Sequence, residues 1–171
     1  MSSGARGVIA RRAVGSAFVA SILAFAGCAP YTPSTANYPS DWNRDRIAWQ
    51  PYALGLRAAA REHKPILLVF YTDWCPHCHN YSRVFHDPRV VEASRAFVMI
   101  RIDRDGDPEL SQAYVVDGDY VPRTFFLLPS GDLMKQLHAA RSDFRYFLDE
   151  YEPDELLDLM QQARELAARS R

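Results

Sequence analysis

A chain of 171 residues, 48% hydrophobic and 12% aromatic, has room for one globular domain with a real core plus an appendage. Its formal charge of −1, from 20 basic and 21 acidic residues, gives neither the basic field of a nucleic-acid binder nor an acidic interaction tail. Nucleic acid is therefore not an expected partner.

Taken in chain order, residues 1–27 read as an export signal. Arg6, Arg11 and Arg12 form a positive n-region, and Ala13 to Gly27 is an apolar stretch too short for a transmembrane helix. Ala26 and Gly27 precede Cys28, an arrangement that resembles the lipobox of bacterial lipoproteins, although Phe25 stands where leucine is preferred. That resemblance implies acylation of Cys28 and anchoring to a membrane; the alternative is an ordinary cleaved signal beside an incidental cysteine. Lipidation would leave Cys75 and Cys78 as the only cysteine pair. It would also place the chain in the cell envelope, on the periplasmic side and with the outer membrane favoured, where dithiol chemistry is not overridden by a reducing cytosol.

Residues 28–43 carry three prolines with Ser, Thr and Asn and no apolar period, which predicts a flexible tether before a domain over 44–171. Ile47 to Trp49 predicts a short strand, and Pro51 to His63 a helix opened by proline. The run from Lys64 to Thr72 is apolar, β-branched and aromatic throughout, as in a strand buried on both faces. Next comes WCPHC, then a helical pattern from Pro76 to Asp87. Ala96 to Asp103 predicts another strand and Pro108 to Tyr114 a short helix. Val121 to Ala139 has the form of two strands around a Pro-Ser-Gly turn, and the segment from Pro153 predicts an amphipathic helix with an acidic start and a basic end. The resulting order, β-α-β-α-β-α-β-β-α, is a mixed α/β sheet with helices on both faces.

The stretch Phe70 to Asn80, FYTDWCPHCHN, admits two chemistries. Cys75, Cys78 and His79 spell CxxCH, the pattern that tethers a c-type haem, whereas Trp74 followed by CPHC spells a dithiol redox site. No methionine or histidine stands in an obvious axial-ligand loop, and a haem at this strand-to-helix junction would displace sheet packing. A third reading has Cys75, Cys78 and a histidine holding copper or zinc, since two thiolates suit a soft metal. No metal site is assigned: Asp103, Asp105 and Asp107 mimic a calcium loop, but its glycine and final glutamate are not at the required offsets. His79 and His86 read as surface or partly packed residues.

WCxxC after a buried strand, with Val121-Pro122 opening a later hairpin, resembles the thioredoxin fold. More narrowly, KPILLVFYTDWCPHC, FVMIRID and DGDYVPRTFFLLPSGDL, followed by FRYF before the last helix, resemble the small endoplasmic-reticulum thioredoxin-like proteins of the anterior gradient family. The CPHC core departs from that family and resembles the DsbA-type periplasmic disulfide oxidants. The resemblance implies a thioredoxin-like fold, and thiol-disulfide exchange on the oxidising or isomerising side with cysteine-containing envelope proteins and a redox partner. The Cys75-Cys78 disulfide would serve in place of a cofactor, with Cys75 attacking and Cys78 resolving.

The residue types suit this chemistry. A cysteine at a helix start meets unpaired N–H groups and the positive end of the dipole, and Pro76 fits the first helical position. His77 offers an imidazole able to hydrogen-bond or pair with the thiolate, and Trp74 is a lid or a packing aromatic. By resemblance Val121 precedes a cis-proline at Pro122 and its backbone pairs with extended substrate. Arg123 either leans over the site or lies solvated on the surface. Val69 stands where thioredoxins carry a proton-shuttling aspartate, so fast reduction is not expected.

Overall fold

The computed structural model describes residues 41–170. The export signal over 1–27, Cys28 and the tether as far as residue 40 lie outside the described residues.

Strand β2 (Ile66–Tyr71) organises the domain, and its first five residues are fully buried. Continuous burial is what its unbroken apolar run demands, since a strand covered on both faces has no polar side. β3 (Val98–Asp103) lies parallel to it, in register from Ile66 opposite Val98 to Tyr71 opposite Asp103. β1, reduced to Trp49–Gln50, pairs parallel with Met99 and Ile100 on the far side of β3. β4 (Arg123–Leu127) runs antiparallel on the other side of β2, giving the order β1-β3-β2-β4. The mixed α/β sheet flanked by helices is therefore the one expected.

Helix α1 (Tyr52–Glu62) packs on β3 and β2. Its Gly55 is required by that approach: a Cβ there would lie 2.5 Å from Ile100 Cδ1. On the chain's return, α5 (Asp154–Arg169) buries Leu156, Leu159, Met160, Ala163 and Ala167, with Asp154 and Glu155 in its first turn and Arg169 in its last. That charge order complements the helix dipole. α4 (Pro108–Ala113) begins at Asp107, whose side chain accepts the Leu110 N–H.

The order departs from expectation at two elements. The segment after the cysteines is two helices, α2 (Pro76–Val84) and α3 (Pro88–Ser94). The break has a local cause: Asp87 caps α3 by accepting the Arg89 N–H, and Pro88 occupies its first turn. Conversely, the second half of the expected hairpin is no strand. Gly131, at φ +93, turns the chain, Leu133 makes an isolated bridge to Leu127, and Met134 N–H bonds Phe126 O at 2.9 Å. Tight turns from Leu133 to Leu137 then take the chain off the sheet. The outer edge of β4 is closed further along by Thr124 N–H donating to Tyr146 O at 2.8 Å.

The folded domain also starts earlier than residue 44. Trp42 and Asn43, assigned to the tether by composition, are buried. Trp42 packs against Trp49, Tyr71, Tyr81 and Phe85, and Asn43 Nδ2 donates to Phe85 O at 2.9 Å. Opposite this cluster, the Arg101 guanidinium lies over the rings of Trp42, Trp49 and Tyr71 at 4.8 to 5.7 Å.

Candidate active site

β2 ends at Tyr71, and four residues carry the chain to the start of α2. Cys75 is the N-cap of that helix: its backbone is extended and its sulfur accepts the Cys78 N–H at 3.3 Å. Pro76 occupies the first turn, where no N–H is needed. The strand-helix junction thus presents an acceptor sulfur at the positive end of the dipole, as WCPHC after a buried strand predicts.

Both cysteines are free thiols and both are buried, Cys75 at 4% exposure and Cys78 at 1%. Burial pushes the Cys78 thiol far above the ordinary cysteine range; the Thr72 backbone opposes this and the Cys75 sulfur adds to it. A thiol so placed is a poor nucleophile until its proton is removed. Thr72 Oγ1, buried in the same loop, has no hydrogen-bond partner among the described residues.

The second wall is the turn before β4. The Val121-Pro122 peptide bond is cis, and Val121 O lies 3.6 Å from Cys75 Sγ. The sequence-distant turn is thereby brought against the dithiol, with the Val121 carbonyl beside the sulfur.

Trp74 is 63% exposed, so it rims the site as an open flap rather than packing into the core. Its indole N–H donates to Asp105 Oδ2 at 2.7 Å and Arg104 lies over its ring at 5.6 Å. The same bond, with help from Arg104, draws the Asp105 carboxyl below its usual range. The acidic run is thus occupied locally, Asp105 holding Trp74, Asp107 capping α4 and Asp103 accepting the Asp105 N–H at 3.1 Å.

His77 departs from expectation. Its imidazole does not hydrogen-bond either sulfur; Nδ1 meets both carboxylate oxygens of Glu150, at 3.0 and 2.9 Å. His79 is tied to Asp73 O, and His86 to Asp41 Oδ1 at 2.8 Å. Among the described residues, no three His, Cys, Asp or Glu side chains are grouped to hold a metal ion.

Arg123 neither overhangs the site nor meets solvent. Position 123 begins β4, opposite Phe70, and its side chain is completely buried. The guanidinium donates to Ser111 Oγ and to Tyr114 O, stands 3.6 Å from Asp119 and lies over the Phe70 ring at 5.1 Å. Burial lowers its pKa, with Asp119 pulling the other way. It ties α4 and the loop before the cis-proline to the sheet. Val69, on the opposite face of the sheet, brings no titratable group and is paired in register with Thr124, whose Oγ1 meets Tyr81 OH at 2.9 Å.

Over residues 48–129 the sequence matches a family profile described as Thioredoxin-like. The described domain has the thioredoxin-like fold. Relatives of that domain include anterior gradient protein 2-B of Xenopus laevis, 26% identical over 77% of this chain and 81% of its own length. Human anterior gradient protein 2 homolog is 28% identical over 71% and 69%. Among solved structures, a thioredoxin from Thermus thermophilus matches at TM-score 0.54 and 25% identity, covering 68% of this chain and 86% of that one. A DsbH oxidoreductase matches in fold at TM-score 0.54 and 23% identity, over 70% and 85%.

Within the thioredoxin-like domain, Glu150 escapes sequence reading. It lies 73 residues from His77, outside any motif, and is 8% exposed. The nearest hint was the aromatic run before α5, whose Phe147 stands edge-on to His77 at 5.6 Å.

Proposed function

We propose that this domain is a thiol-disulfide oxidoreductase acting on cysteine-containing proteins of the cell envelope. One observation carries the reading: Cys75 Sγ is held at the start of α2 by the Cys78 N–H, with the carbonyl before a cis-proline at its side. That is an anion-accepting sulfur, a partner sulfur one turn away, and a strip of backbone on which extended substrate can lie.

In the oxidising direction a substrate thiolate attacks Cys75 Sγ of the Cys75-Cys78 disulfide, and the electron pair of the broken S–S bond passes to Cys78. A second substrate thiolate attacks the mixed disulfide, releasing Cys75 and leaving the substrate oxidised and the domain reduced by two electrons. The Cys78 N–H bond to Cys75 Sγ supports the reduced dithiol, and a stabilised reduced form makes the disulfide the better oxidant. A disulfide-carrying redox partner must then restore the pair.

The envelope location and the membrane anchor rest on the signal-like segment and Cys28. None of the helices among the described residues is long and apolar enough to cross a membrane; in this reading acyl chains on Cys28 hold the domain to the bilayer.

Oxidative refolding of a reduced disulfide protein, and reduction of insulin, test the reading. Activity is expected in the wild type and is lost in Cys75→Ser; a wild type inert in both assays sinks it. Titration of the pair against glutathione gives the direction, with a potential above about −200 mV marking an oxidant or isomerase.

A further inference from the structure

Thiol-disulfide exchange needs a proton acceptor, because an ordinary cysteine, with pKa about 8.5, is mostly protonated at neutral pH. Val69, buried in β2, has no titratable group to serve. Instead His77, in the first turn of α2, is paired with Glu150, which the chain returns to it from the segment before α5. Glu150 is nearly buried, and both its oxygens face His77 Nδ1. A carboxylate only accepts, so Nδ1 carries the hydrogen, and in the neutral imidazole Nε2 then carries the lone pair.

Nε2 makes no hydrogen bond among the described residues, and the His77 side chain is 61% exposed. Phe147 braces the ring edge-on at 5.6 Å. The neighbouring Tyr151 phenol has its pKa raised by the Glu150 carboxylate, and Asn80 Nδ2 donates to the Tyr151 hydroxyl at 3.2 Å. The imidazole, two residues from Cys75, is thus fixed in tautomer and orientation while its basic nitrogen is left open.

We propose that Glu150 is a positioning residue that presents His77 Nε2 to the incoming substrate thiol as its proton acceptor. The proposal rests on the exchange reading above. The substrate S–H gives its proton to Nε2, and the thiolate so formed attacks Cys75 Sγ. A substrate-Cys75 disulfide forms, the Cys75-Cys78 bond breaks, and its electron pair goes to Cys78 Sγ. Cys78, whose burial favours the thiol, takes up a proton as the imidazolium returns its own to solvent, so protons balance. The pairing of carboxylate, imidazole and attacking hydrogen is the general logic of an activated nucleophile, here with the nucleophile supplied by the substrate.

The test compares two thiols reacting with the oxidised full chain at pH 7. One is a cysteine peptide, mostly protonated; the other is thionitrobenzoate, already a thiolate. Glu150→Gln is expected to slow the peptide about tenfold, short of the full range of general-base effects because an amide still holds the ring. Thionitrobenzoate should react within about twofold of wild type, which also reports that the variant is folded. His77→Ala should impose a similar selective loss, and the double variant little more, since the two residues act as a unit. Equal slowing of both thiols, or of neither, in an otherwise active protein overturns the proposal alone. A wild type inert to both thiols overturns the exchange reading and this proposal together.

Discussion

At Arg123 a guanidinium with no exposed surface sits immediately after the cis-proline turn, and its partners explain why the domain tolerates it. Ser111 Oγ and Tyr114 O accept from it, Asp119 offsets its charge at 3.6 Å, and the Phe70 face lies 5.1 Å away. Of its nitrogens, Nε alone has no hydrogen-bond partner among the described residues. Such a group costs more to break than it contributes when intact, because truncation strands what it satisfied. Arg123→Ala is expected to lower stability by about 3–5 kcal/mol, read as a fall in urea midpoint. Arg123→Lys, which keeps the charge but loses the planar fork, should lie between. An Arg123→Ala midpoint within error of wild type would show the network to be energetically idle.

Among the elements, the clip formed by residues 41–43 is the one that joins the domain to whatever precedes it. Trp42 fills an aromatic socket, while Asp41 accepts the Asn43 N–H at 2.9 Å and meets His86 Nε2 at 2.8 Å. Partial burial works against the Asp41 carboxylate, yet the Asn43 and His86 bonds outweigh it and the pKa is lowered. A carboxyl depressed in the folded state contributes fully above its unfolded value, about pH 4, and the contribution is lost as pH falls through the folded value. Asp41→Asn should therefore cost a fraction of a kcal/mol at pH 7, as expected for a solvent-screened pair, and nothing at about pH 2. Denaturant midpoints at the two pH values check this; an equal loss at both would place the effect in shape rather than charge.

For the whole molecule, what could be read in advance was what the chain writes contiguously. β2 announces itself by five consecutive buried apolar residues, α5 by its period and end charges, and the dithiol by four adjacent positions. The restart at α3 is harder to read, because an aspartate and a proline end one helical pattern and begin the next with the same residues. Trp42 was misplaced because its company is polar and prolyl, while its contacts come from Trp49, Tyr71 and Phe85. Glu150 left no trace in the sequence: its meaning depends on the fold returning it to His77. Arg123 was read by its neighbour Pro122, but its direction along β4 turns it inward.

The seat of Trp42 also sets a distance. With Cys28 acylated as proposed, only residues 29–40 separate the lipid from the first clipped residue, so covalent geometry caps their span at about 42 Å. The dithiol would then patrol a shallow shell above the bilayer, where a membrane-bound redox partner is met at an effective concentration set by that leash and not by the volume of the compartment. Lengthening residues 29–40 with Gly-Ser repeats should leave turnover of soluble peptides unchanged. Re-oxidation by a bilayer partner should slow roughly as the −3/2 power of leash length.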